Sequence, residues 1–179
     1  MSDRIRLLLG SDSAGFDYKD RIFADMRADD RVEVIDLGVY EGDLDSASYP
    51  SVAIAAGEKI RAGEADRAIL VCGTGIGVAI AANKVPGIRA TVAHDSFSVE
   101  RSVLSNNCQI LTLGQRVIGL QLARRLAKEW LDRDPRLRAS IVVPMQNVEY
   151  AVDEIERCAK DKRFVQVLMV TRTANPPGQ

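Results

Sequence analysis

Five short apolar runs, each followed by a segment of helical spacing, constrain the fold of this chain more than any other feature. The runs are Ile5 to Leu9, Val32 to Ile35, Ala68 to Val71, Ala90 to Ala93 and Ile110 to Leu113. Runs this short, bounded by turn residues, read as strands covered on both faces. Between and after them, Phe16 to Ala28, Pro50 to Ala62, Ile76 to Asn83, Ser96 to Ser105 and Gly119 to Asp132 carry apolar residues at helical intervals, with Pro50 at a first helical position. Alternation of this kind requires right-handed crossovers and builds a parallel sheet with helices on both faces. The expected fold is a three-layer α/β domain of Rossmann-like or flavodoxin-like type, with five parallel strands and ligands beyond their carboxyl ends. After Leu131 the alternation stops. Asp132 to Arg138 is charged and contains Pro135, Val148 to Cys158 reads as one extra C-terminal helix, and an apolar patch from Phe164 to Val170 precedes a polar Pro-Pro-Gly end. No repeat or long linker divides the chain, so a single domain over 1–160 with a C-terminal tail at 161–179 is expected.

Composition excludes several function classes. With 24 Lys and Arg against 25 Asp and Glu, the net charge of -1 leaves no excess for non-specific binding to nucleic acid. No apolar run approaches the roughly 18 residues of a membrane span, and the polar start lacks the apolar stretch of a signal peptide, so a cytoplasmic location is expected. Cys72, Cys108 and Cys158 are odd in number and lack paired spacing. They suggest neither a disulfide framework nor a zinc site.

The sharpest local feature is Val71-Cys72-Gly73-Thr74-Gly75-Ile76-Gly77, a strand that ends in cysteine and runs through alternating glycines into a helix. Small residues here let backbone amides converge on an anion, either a phosphate or the oxyanion of a reacting carbonyl. The positive end of a helix also favours thiolate, which places Cys72 to act as nucleophile or general base. Taken alone, a buried core cysteine is the commoner meaning of such a residue. Two cofactor loops fail on spacing. Gly10 to Gly15 has two glycines of a triphosphate loop, but Phe16-Asp17 stands where Lys-Ser/Thr is needed; the same loop lacks the glycine spacing of a dinucleotide site, although Asp36 ends the second strand.

Gly10 to Phe16, Tyr49-Pro50, Cys72 to Gly77 with Ala81-Ala82-Asn83-Lys84, Gly87 to Ala90, His94-Asp95, Asn106-Asn107 and Gly114 to Val117 together resemble the ribose-5-phosphate isomerase B and galactose-6-phosphate isomerase family over residues 4–131. The resemblance implies aldose-ketose isomerisation of a small sugar phosphate through a cis-enediolate, with no metal or other cofactor. It also implies a homodimer or homotetramer whose sites lie between subunits. On this resemblance Cys72 matches the base, Thr74 assists, and Gly73, Gly75, Ile76 and Gly77 frame the amides that hold the negative oxygen. Asp12, Ser13, Ser105, Asn106 and Arg116 fall at substrate-binding positions; without the resemblance, Asp12 reads as a capping residue and Arg116 as a solvated charge. The helices at Gly119 to Trp130 and Val148 to Cys158 are expected to supply subunit contacts.

Two imidazoles usual in that family are absent. Ser13 follows Asp12 where a histidine is usual, and Ser105 stands where the ring-opening histidine precedes the asparagine. Serine does not titrate near neutral pH, so it does not replace that acid. The C-terminal arginine pair has no counterpart beyond the displaced Arg136 and Arg138. These losses fit a substrate that never closes into a ring, such as a tetrose 4-phosphate, or an unphosphorylated sugar. They also leave open a non-catalytic binding or partner subunit. His94, the sole histidine, ends the fourth strand and is either a replacement acid or part of a helix-starting turn.

Overall fold

The computed structural model describes residues 4–133, 139–142, 148–159 and 164–168. Contacts divide the chain into two compact units, Met1–Asp134 and Pro135–Gln179. The division falls where the alternation weakens, earlier in the chain than the boundary at 160 expected from sequence.

In the first unit the elements follow in the order β1 (Ile5–Ser11), α1 (Phe16–Arg27), β2 (Val32–Asp36), α2 (Tyr49–Arg61), β3 (Arg67–Cys72), α3 (Ile76–Ala82), β4 (Ala90–Val92), α4 (Ser96–Leu104), β5 (Ile110–Gly114) and α5 (Leu120–Asp132). The five strands form one parallel sheet in the order β2-β1-β3-β5-β4. This is the expected Rossmann-like layering. Its last two strands are exchanged relative to the flavodoxin order, because β5 inserts between β3 and β4. Every residue of β3 and β5 is buried, whereas β2, at one edge, alternates and β4, at the other, is half-buried throughout. Continuous apolar runs therefore mark the central strands, as two-sided burial requires.

One side of the sheet is closed by α2 and α3, where Val52, Ala53, Val78 and Ala82 pack with Leu8, Leu70, Cys72 and Ile110. In α5, the buried Ala123, Leu126, Ala127, Trp130 and Leu131 recur at intervals of one, three and four, which is a single helical face. Trp130 and Leu126 are almost wholly buried, and side chains of this kind contribute roughly 1.5–3 kcal/mol each. Strand β1 feeds β2 on one flank while β3 lies on the other, so the chain reverses direction between β1 and β3. Ligands of open parallel sheets bind at the carboxyl ends beside such a reversal.

The second unit consists of β6 (Ala139–Val142), α6 (Val148–Ala159) and β7 (Phe164–Leu168), with β6 and β7 paired in parallel. The extra helix is where it was expected. The strands on either side of it were not expected, and β7 falls within the segment assigned to a tail.

Candidate functional site

Cys72 is the last residue of β3 and is 5% exposed. Beyond it the chain turns through Gly75, whose φ of 81° lies in the left-handed region. That conformation aims the Gly75 N–H at Cys72 Sγ, 3.1 Å away. A side chain would be strained there, and its Cβ would stand 3.0 Å from the Leu113 backbone. The Thr112 hydroxyl, fully buried in β5, holds the turn from below by donating to the Gly75 carbonyl at 2.9 Å. Helix α3 starts at Ile76, and its N-cap residue, Gly75, has no side chain to cap it. Thr74 is exposed on the loop, and its Oγ1 accepts from the Ile76 N–H at 3.3 Å. The segment from Gly73 to Gly77 thus offers backbone donors beside a thiol, an arrangement suited to negative oxygen.

Asp12 directly follows the end of the neighbouring strand β1, at the same level. Ser11 pairs with Val71, and Asp12 continues the extended backbone (φ -88°, ψ -175°), which sets it beside Cys72 about one strand spacing, ~4.8 Å, away. Asp12 Oδ1 is buried and has no hydrogen-bond partner among the described residues. Such an atom is costly unless something outside the chain satisfies it. Ser13 is exposed in the 3-10 turn Ser13–Gly15. Arg116 is also here: its N–H donates to the Gly73 carbonyl at 3.0 Å, and its Cδ lies 3.6 Å from where a Gly73 Cβ would be. Among the described residues its guanidinium makes no ion pair. The ring of Tyr49 lies against Gly77 at the rim.

Ser105 and Asn106 are elsewhere. They follow α4 and precede β5, whose register runs from Ala68↔Ile110 to Cys72↔Gly114. They therefore lie at the opposite end of the sheet, at least ~13 Å along the strand from Cys72. Locally, Asn106 Nδ2 donates to the Arg101 carbonyl at 2.9 Å and caps α4, while Ser105 Oγ accepts from Arg101 at 3.4 Å. Asn107 completes the turn at φ 45°. One chain thus gathers Cys72, Thr74, the glycine loop, Asp12, Ser13 and Arg116, but not Ser105 or Asn106. Arg136 and Arg138 lie outside the described residues.

His94 Nε2 accepts the Gly114 N–H at 2.9 Å, so the ring is neutral and protonated on Nδ1. Burial holds its pKa below the ordinary imidazole value, against the opposing pull of Asp95. The bond ties the end of β4 to the end of β5 and leaves Nε2 without a proton to give. Burial raises the Cys108 thiol, remote from this chemistry. Gln115 carries no chemical signal in the sequence, yet it links three parts of the site. Its N–H donates to the Cys72 carbonyl at 2.9 Å, its Oε1 accepts from Tyr18 N–H at 3.1 Å and its Nε2 donates to Asp17 at 3.2 Å. Among the described residues no three His, Cys, Asp or Glu side chains gather as a metal site. A groove of about 800 Å³ between α1 and α5 lies away from Cys72, and its charges are largely paired with one another, Asp25 with Arg124 and Asp29 with Arg31.

Fold and site first define a class: a Rossmann-like α/β protein with a strand-end thiol, a carboxylate and converging amides, equipment for moving a proton next to a carbonyl. The profile of the Ribose/Galactose Isomerase family matches residues 7–141. An Amidohydrolase profile matches 114–179, less than half of the chain. A D-erythrulose-4-phosphate isomerase 2 from Mycolicibacterium smegmatis is 62% identical over 128 residues, covering 71% of this chain and 84% of that protein. Ribose-5-phosphate isomerase B of Escherichia coli is 39% identical over 126 residues, covering 70% and 83%. The solved ribose-5-phosphate isomerase B of Clostridium thermocellum superposes with a TM-score of 0.66 at 42% identity, covering 71% and 84%. The chain belongs to the ribose/galactose isomerase family, and by class it is an aldose-ketose isomerase.

Proposed function

We propose that the chain interconverts the aldose and ketose forms of a tetrose 4-phosphate through a cis-enediolate, with Cys72 as the base. The Gly75 N–H bond to Cys72 Sγ carries this reading, because it sets the thiol and the loop amides around one point. Starting from the aldose, the Cys72 thiolate takes the C2 proton, the C–H electron pair becomes the C1=C2 double bond, and the carbonyl pair moves onto O1. Amides of the Gly73 to Gly77 loop stabilise that charge. The O2 proton passes to O1 with Thr74 as the nearby hydroxyl, and Cys72, its proton exchanging with solvent while the enediolate lasts, protonates C1 and leaves the carbonyl at C2. A positioned base contributes about 10²–10⁴-fold and one oxyanion donor about 10²–10³-fold. Asp12 and Ser13 bind substrate hydroxyls, and Arg116 faces the phosphate.

The missing imidazole supports the tetrose. A four-carbon sugar phosphorylated on O4 has no hydroxyl able to close a five-membered ring, so it needs no ring-opening acid, and Ser105 suffices. The sole histidine, His94, is committed to Gly114. The name of the Mycolicibacterium relative points the same way.

Ser105 and Asn106 enter the site from a second copy of the chain. Exposed apolar residues favour this: Ile54 on α2, Ile76 and Ile80 on α3 and Phe97 on α4 are 39–72% exposed, and Ile76 adjoins the glycine loop. By contrast α5, expected to supply contacts, buries its apolar face within its own unit. The test is a panel of four-, five- and six-carbon aldose and ketose phosphates and free sugars. Turnover of D-erythrose or D-erythrulose 4-phosphate at least about tenfold above ribose 5-phosphate in kcat/KM is expected. Faster turnover of a ring-forming pentose phosphate, or of a free sugar, overturns the tetrose assignment.

A further inference from the structure

Lys19 on α1 is a buried charge that the proposed chemistry does not use. Its side chain is 1% exposed, and its Nζ donates to Asp36 Oδ2 at 2.6 Å and to the Val39 carbonyl at 3.1 Å. The rings of Phe16 and Tyr40 lie 5.5 and 5.3 Å from the same ammonium. Asp36 has a second bond: its Oδ1 accepts the Gly38 N–H at 2.9 Å. Gly38 is pressed so closely on β1 that a Cβ there would lie 2.9 Å from Ser11 N and 3.0 Å from Ser11 O. Ser11 precedes Asp12, whose Oδ1 is buried and unpartnered among the described residues. A continuous series of contacts therefore runs from Lys19 through Asp36 and Gly38 to Asp12. Burying an ion pair gives little stability compared with apolar packing of the same volume. Its geometry, by contrast, is well defined.

We propose that Lys19 is a positioning residue, whose buried ion pair with Asp36 fastens the turn at 37–40 onto the end of β1 and so holds Asp12 in place for substrate. The proposal rests on the reading of Asp12 as a substrate ligand. Cys72 is held by the Gly75 and Gln115 N–H groups, and Gln115 is itself bonded to Tyr18 and Asp17 on α1, so the reactivity of Cys72 in a variant reports whether the change spreads beyond the turn at 37–40.

The test is the double variant Lys19→Met/Asp36→Asn, in which Asn keeps an acceptor for Gly38. Expected are a melting temperature within a few degrees of the parent, iodoacetamide alkylation of Cys72 within about twofold, and KM raised about tenfold or more with kcat changed less. A folded variant with the parent's KM overturns the proposal. If the double variant fails to fold, Gly38→Ala pushes the same turn away from its other end; the same rise in KM is expected, and an unchanged KM again overturns it. If the parent chain turns over no sugar phosphate, the functional reading fails separately. Crystal structures of parent and variant then decide the matter for Lys19: a displaced Asp12 carboxylate upholds it and an unmoved one refutes it.

Discussion

Cys72 and His94 stand at the same edge of the sheet, on either side of the end of β5, yet their surroundings assign them different work. Cys72 faces the loop amides and Asp12, so Cys72→Ala is expected to retain its circular dichroism spectrum and to lose at least about 10²-fold in kcat, measured in a coupled assay. His94 accepts a backbone N–H and is more stable neutral in the folded chain than in the unfolded one. Because its folded pKa is depressed, the unfolded chain binds the extra proton first as pH falls below about 6.5. The stability it contributes is thus complete above that pH and declines below it. His94→Gln keeps an acceptor and removes the titration. Chemical denaturation between pH 5 and 7.5 should show a shallower loss of stability on the acid side in this variant; an unchanged slope would assign the acid loss to other groups.

Among the elements, the turn between β3 and α3 is the most constrained. Gly75→Ala places a side chain at positive φ against the Leu113 backbone, with an expected cost of about 1–3 kcal/mol in stability and a loss in kcat exceeding any change in KM. Much at this scale was legible in the sequence. Central strands β3 and β5 are continuous apolar runs because both their faces are covered, and the glycines of the loop announce converging backbone. Less was legible where partners are distant in sequence. Gln115 is an ordinary polar residue until the fold sets it against Cys72 and Tyr18, and Lys19 looks like a solvent-facing helix charge until Asp36 and two rings enclose it. Strand β6 is only four residues long beside charged and proline-containing chain, too short for a period to emerge. Strand β7 then had no visible pairing partner and was assigned to a tail.

At the scale of the whole molecule, the order of motifs along the chain conceals how they divide in space. Cys72 and Asn106 belong to one motif set, but the register of β5 places them at opposite ends of one sheet. If two copies complete each other's sites, mixing inactive Cys72→Ala with inactive Asn106→Ala chains should restore activity. Each mixed dimer regains one site of two, so refolding equal amounts is expected to return about a quarter of the parent activity. No recovery would place both residues in one chain's site or remove Asn106 from it. The central claim, that Cys72 moves a proton between C1 and C2, is tested most directly by proton NMR of the purified chain with D-erythrulose 4-phosphate in D2O, alongside Cys72→Ala. The account predicts isomerisation with solvent deuterium entering at C1 or C2 in the parent and neither event in the variant. Isomerisation or deuterium exchange that persists in Cys72→Ala would contradict it.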